Sequence, residues 1–372
     1  MGTVKRLKGA TLGAALFLSS FLGAIFCLFP ALPLLFLAPK LWRKHCDFFV
    51  GLWLSYPVAL LEVLHGCKFH VSGDAMDGKR PALILMNHRT RLDWLFFFSA
   101  LFTIQPTLLP SLKISLKKGL KRIPGTGWAM ECASYIFLER NWESDKLLLD
   151  SALQYYAASG LPYQLLLFPE GTDLSPANLQ RSLAYARQHN LPQLQHLLQP
   201  RITGLRHILA TLRRLRYLEH LYDVTIAFPD NLVQTETQLM AGDCPASIHF
   251  HLRRYAAEDI PQEDEALQQW LQDTWQAKED RLRRFYVQSA AADTMPSLLP
   301  PDHNDALHHC SISTELVYAS FSFWSLMILV WLYLIYAFSM AKVYVTIAIA
   351  GFVMIHRLYG GVERLAAAQE MH

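Results

Sequence analysis

The chain has 372 residues, 52% of them hydrophobic and only 17% charged, with a formal net charge of +3 and a mean hydropathy of +0.17. That balance is more apolar than an ordinary soluble domain and predicts contact with a lipid bilayer, while the small net charge provides no global basic field to hold nucleic acid. Six cysteines with no Cys-x-x-Cys pair form neither a zinc pattern nor a disulfide framework.

After Lys5, Arg6 and Lys8, residues 10–39 carry no charge, which at roughly 1.5 Å per residue exceeds the roughly 30 Å of bilayer hydrocarbon. The run is also longer than the roughly 7–15 apolar residues of a signal peptide, so an uncleaved anchor is expected. Pro30 and Pro33 interrupt it, and the next apolar stretch, 48–64, contains Pro57 and Glu62. Two short broken helices in a re-entrant hairpin fit this pattern, and so does a true span. Lys40, Arg43 and Lys44, between the two stretches, suit anionic headgroups.

From 70 to 290, apolar runs of strand length alternate with helical spacing, which predicts an α/β fold with a central mixed sheet flanked by helices. Strands are expected at 82–86, 164–168, 224–228 and 248–252, and helices at 93–102 and 145–158. Lys113, Lys117, Lys118, Lys121 and Arg122 form a basic patch on a helix or loop, suited to phosphates or to plain solvation. Trp270, Trp275 and the charged run 278–284 read as an amphipathic helix with a solvated face.

The stretch 290–304 reads as a linker. Residues 316–340 are free of formal charge and rich in aromatics, as expected of a C-terminal transmembrane helix. The following run, 343–355, is too short for a straight span and is expected to be partly inserted. The expected divisions are 1–67 (membrane-associated helices), 68–290 (α/β domain), 291–315 (linker) and 316–372 (transmembrane region).

Two blocks carry chemistry. Asn87-His88-Arg89-Thr90-Arg91-Leu92-Asp93 follows a strand and precedes a helix, at the kind of strand end where catalytic groups are held. A turn there would let Asp93 accept from one imidazole nitrogen of His88, leaving the other to take a proton from a hydroxyl. Taken alone, the spacing is more often that of a capping aspartate beside a loop histidine. The second block is Phe168-Pro169-Glu170-Gly171-Thr172-Asp173. Its glycine permits close approach of a ligand, and Glu170 and Thr172 offer hydrogen bonds; alone, it also reads as a Pro-Gly turn. His249 and His251 share a strand face, but no neighbouring Asp, Glu or Cys completes a metal set, and no metal is expected.

Together, Asn-His-x-x-x-x-Asp and Phe-Pro-Glu-Gly-Thr resemble the glycerolipid acyltransferase family, as do Tyr135-Ile136-Phe137-Leu138-Glu139-Arg140 and Pro200-Arg201-Ile202-Thr203-Gly204. Four blocks occur in the family's order. Pro124-Gly125-Thr126-Gly127-Trp128-Ala129-Met130 and Leu358-Tyr359-Gly360-Gly361 resemble its lysocardiolipin acyltransferase branch.

The resemblance implies acyl transfer from acyl-CoA, as co-substrate and not cofactor, to an anionic lysophospholipid at the endoplasmic reticulum membrane. It implies His88 and Asp93 as the catalytic pair, with Asn87, Arg140, Glu170, Gly171, Thr172 and Pro200 contacting substrate. Many relatives that acylate lysophosphatidic acid have Arg where this chain has Asp173, a departure that favours a phosphodiester acceptor such as lysocardiolipin, lysophosphatidylglycerol or lysophosphatidylinositol. Lysophosphatidic acid is the alternative acceptor. A lipid hydrolase is disfavoured because no Gly-x-Ser-x-Gly elbow occurs. A non-catalytic scaffold would not need His88, Asp93, Glu170 and Gly171 together.

Overall fold

The structure, a computed structural model, describes residues 2–290, 296–299 and 312–370. Strands β1 (Lys68–Gly73), β2 (Ala82–Met86), β3 (Leu112–Lys117), β4 (Ile136–Leu138), β5 (Gln164–Leu167), β6 (His220–Ala227) and β7 (Ser247–Ala256) form one sheet, in the order β1-β7-β6-β2-β5-β3-β4. Strands β6, β2, β5, β3 and β4 run parallel, while β7 is antiparallel to β6 and parallel to β1. The sheet is mixed and flanked by helices, as the alternation in the sequence predicts. Five strands therefore deliver their C-terminal ends to one edge, and one of them, β2, is the central strand of the seven.

The strands read from sequence are those covered on both faces. Every residue of β2 is buried, so it reads as an unbroken apolar run. Strands β1, β3 and β4 escaped, since β3 contains lysines and β4 has three residues.

The expected basic patch is divided by the fold. Lys113 is a strand residue whose ammonium lies 2.8 Å from Asp47, itself 2.9 Å from Arg43. Tyr163 donates to Asp47 at 2.7 Å, and Arg43 to Ser134 Oγ and the Cys132 carbonyl at 2.5 and 2.6 Å. Burial lowers the Lys113 pKa to about 8 against the pull of Asp47. Lys121 is also buried, bonded to the Gly360 carbonyl at 2.6 Å and to Glu363. Lys117, Lys118 and Arg122 remain exposed.

Four helices among the described residues are long and apolar enough to cross a membrane: Gly2–Ala31, Pro39–His65, Thr314–Ala337 and Ser339–Tyr359. Of the two arrangements open to the N-terminal stretches, short broken helices are not the one seen. The first helical run continues through a π turn at Ala24–Leu28 and a 3-10 turn at Phe29–Ala31, because the prolines lie at its end. The expected short insertion at 343–355 is a 21-residue helix, Ser339–Tyr359, which recruits polar residues on both sides of the apolar run.

The N-terminal helices also serve the globular core, which Leu12, Leu22, Trp42, Leu54 and Tyr56 enter. Gly125, at φ +78°, allows the backbone of Phe21 to approach; a Cβ there would lie 2.3 Å from Phe21 Cα. Most of the 290–304 linker lies outside the described residues.

Candidate active site

Met86 ends β2, and the chain turns through residues 87–92 before the helix Asp93–Ile104 begins. Asn87 is buried, its amide engaged in both directions by Ile226 of β6: it accepts from the N–H at 2.9 Å and donates to the carbonyl at 3.2 Å. This pins the turn to the neighbouring strand. Asp93 occupies the first helical position, where the helix dipole favours a carboxylate, and is fully buried. Its Oδ2 lies 3.0 Å from His88 Nδ1 and accepts the Thr90 N–H at 2.9 Å. Its Oδ1 accepts the Thr90 hydroxyl at 2.9 Å. The turn thus brings together two side chains that five residues of regular helix would hold apart.

Burial by itself would lower the His88 pKa. The hydrogen bond and charge of Asp93, with Glu170 and Asp173 nearby, outweigh it and hold the value above that of an ordinary histidine. The ring stacks on Phe168 with centroids 4.2 Å apart. The contact with Asp93 sets the tautomer with Nδ1–H donating, so Nε2 is the basic nitrogen.

Glu170 follows β5, the neighbour of β2, and is 2% exposed. Its Oε1 accepts the His88 backbone N–H at 3.2 Å and its Oε2 that of Leu198, also at 3.2 Å. Burial raises its pKa to about 7, against the opposing effect of these N–H groups and of His88. Gly171 adopts φ +72°, a conformation that favours glycine. The Thr172 hydroxyl accepts from Asn178 at 3.2 Å, and Leu174 N–H donates to the His88 carbonyl at 2.8 Å.

Pro200 lies in the loop beside this turn, where the Arg201 N–H donates to the Pro169 carbonyl at 2.8 Å. Arg140 lies two residues beyond β4, exposed and at φ +66°. Three strand spacings separate β4 from β2, about 14 Å at roughly 4.8 Å each.

Several groups at the site have no role assigned by the sequence, Arg201 among them although it lies in the Pro200 block. The exposed Arg201 side chain runs along Gly171, with its Nε 3.7 Å from where a Cβ would stand. Loop residue Leu198 contributes only a backbone N–H. The helix Asp264–Ala290, read as solvated over its charged run, buries Lys278, Glu279 and Arg281 beneath the site. Among the described residues no group of three His, Cys, Asp or Glu is placed to hold a metal ion.

His88 is thus oriented by a buried carboxylate at the C-terminal edge of an α/β sheet, an arrangement chemically able to take up and return a proton. Residues 68–227 match the family model described as Acyltransferase and residues 238–324 the one described as Acyltransferase C-terminus. Lysocardiolipin acyltransferase 1 of Gallus gallus is 40% identical over 97% of this chain and 94% of its own length. Lysophosphatidylinositol acyltransferase 10 of Caenorhabditis elegans is 42% identical over 76% of this chain and 73% of its own. A solved structure of the 1-acyl-sn-glycerophosphate acyltransferase of Thermotoga maritima aligns with TM-score 0.47 at 13% identity, over 76% of this chain and 98% of that one. The chain belongs to the glycerolipid acyltransferase family.

Proposed function

We propose that the chain is an acyl-CoA-dependent acyltransferase of lysophospholipids, and that residues 68–290 form its catalytic domain. The observation that carries the mechanism is the 3.0 Å contact between His88 Nδ1 and buried Asp93. His88 Nε2 removes the proton of the lysolipid hydroxyl as its oxygen attacks the thioester carbonyl. Asp93 stabilises the imidazolium that forms. The tetrahedral intermediate then collapses, the C–S bond breaks, and the thiolate of CoA leaves to take the proton. The thioester is already activated, so this reading uses neither a serine nucleophile nor a metal.

An anionic phosphodiester acceptor of the lysocardiolipin or lysophosphatidylinositol type fits best, for two reasons. The relatives named above carry those substrates in their names, and Asp173 stands where an anion-binding arginine serves lysophosphatidic acid. The Arg201 guanidinium lies alongside Gly171, next to Glu170, whereas Arg140 follows β4, three strands from β2. The four apolar helices support a membrane protein, and remodelling of such lipids suits the endoplasmic reticulum.

The test is purified full-length protein in liposomes with oleoyl-CoA and a panel of lysophospholipids, following CoA release and acylated lipid together. Acylation that His88→Ala abolishes is expected. CoA release without acylated lipid would instead make the protein a thioesterase.

A further inference from the structure

The helix Asp264–Ala290 packs against β6 with charges that face inward. Lys278 donates to the carbonyls of Val224 and Leu85 at 2.5 and 3.3 Å and pairs with Asp223 at 2.7 Å. It thereby ties β6 to β2, the strand from which the His88 turn emerges. Arg281 donates to the Thr225 hydroxyl at 2.8 Å. Glu279, wholly buried, accepts the Gln195 N–H at 2.9 Å and the His196 N–H at 2.9 and 3.2 Å. That loop goes on to present the Leu198 N–H to Glu170, whose other oxygen holds the His88 N–H. Arg89, next to His88, closes the circuit by donating to the His196 carbonyl at 3.3 Å and lying over the Tyr286 ring.

We infer that Glu279 is a positioning residue for the His88–Asp93 pair, acting through the 195–198 loop and Glu170. The inference rests on the acyltransferase reading for its kinetic consequence only. A buried carboxylate that accepts N–H bonds holds a segment far more firmly than a neutral contact, because leaving those donors unpaired is costly. The 195–198 loop has no helix or strand of its own to fix the Leu198 N–H. The charged groups facing His88 are Asp93 from its own turn and Glu170 and Asp173 from the turn after β5. Glu170 in turn faces His88 and, from the helix below, Lys278. Freeing the loop lets Glu170 drift from His88, which weakens the stabilisation of the imidazolium without altering the acyl-CoA site.

The experiment compares full-length wild type, Glu279→Ala and Glu279→Gln. It measures kcat, the KM for acyl-CoA and, independently of turnover, the pH midpoint of His88 modification by diethyl pyrocarbonate, read by peptide mass spectrometry. Glu279→Ala is expected to lower kcat by about 10- to 100-fold, as small displacements of a catalytic group do. It is also expected to move the midpoint down by about half a pH unit with KM within twofold, and Glu279→Gln to fall between. Folded Glu279→Ala with wild-type kcat and midpoint overturns the inference. If Glu279→Ala does not fold, Glu279→Gln with wild-type values does the same. A wild type that transfers no acyl group removes the functional reading, and the midpoint still decides the role of Glu279.

Discussion

Asp93→Asn isolates the charge of the pair from its shape. The carboxylate takes three donors, two at Oδ2 and one at Oδ1. An asparagine can keep its oxygen at the Oδ2 position, accepting from His88 and Thr90, and turn its NH2 toward the Thr90 hydroxyl, which also has acceptor capacity. The tautomer then survives and the negative charge is lost. A hydrogen bond to a charged group contributes roughly 1.5–3 kcal/mol, and each 1.36 kcal/mol is tenfold in rate. With that full contribution missing when the imidazolium forms, kcat is expected to fall by about 10- to 150-fold. Thermal unfolding and the KM for acyl-CoA should change little.

The pH profile provides a second readout. Neutral His88 is the base, so kcat rises with pH through its pKa, which Asp93 holds above the ordinary 6.5. Removing the charge lowers that pKa, so the limb moves to more acidic pH even as the plateau falls. Steady-state acylation of lysolipid in liposomes from pH 5 to 9 measures both. A plateau within threefold of wild type, or a limb that stays in place, would refute the assignment of His88 and Asp93.

Asp47→Ala leaves Arg43 and Lys113 buried without their carboxylate, and breaking such a cluster costs about 3–5 kcal/mol; a large drop in thermal midpoint in detergent is expected, and an unchanged midpoint counts against it. Arg201→Ala should raise the KM for anionic lysophospholipid about tenfold, the scale of one charge-assisted contact, with the KM for acyl-CoA within twofold. Equal effects on both substrates would remove Arg201 from the acceptor site. Burial raises Glu131 and Glu363 to about 7 each, against the attraction of Lys121. Carboxyls that bind protons more tightly when folded make stability fall as pH rises from their unfolded value near 4.5 toward 7. Thermal scans of wild type against Glu131→Gln across that window should show a shallower slope in the variant, and parallel curves would contradict the sign.

Much of the architecture was legible because burial on both faces leaves a mark in composition. The all-apolar run of β2 and the abrupt stop of β5 at Pro169-Glu170 located the central strands, and the four motif blocks located the family. His88 and Asp93 were legible as residues, while their contact was not, since spacing alone is more often that of a helix cap. The turn pinned by Asn87 to Ile226 and the two Thr90 donors to Asp93 decide it.

Charged residues were where sequence reading failed. Lys113, Lys121, Lys278 and Glu279 occupy runs that look solvated, because local charge patterning records nothing of the distant partner that makes burial tolerable. Asp47 lies 66 positions from Lys113, and the loop N–H groups bonded by Glu279 lie 83 and 84 positions away. The sequence by itself determined the elements buried on both faces, the membrane-length apolar runs and the reactive residue types. The pairing of buried charges, the continuity of the N-terminal helix and the support of Glu170 from the helix beneath were decided only by tertiary structure, which alone brings groups so far apart in the chain within hydrogen-bond distance.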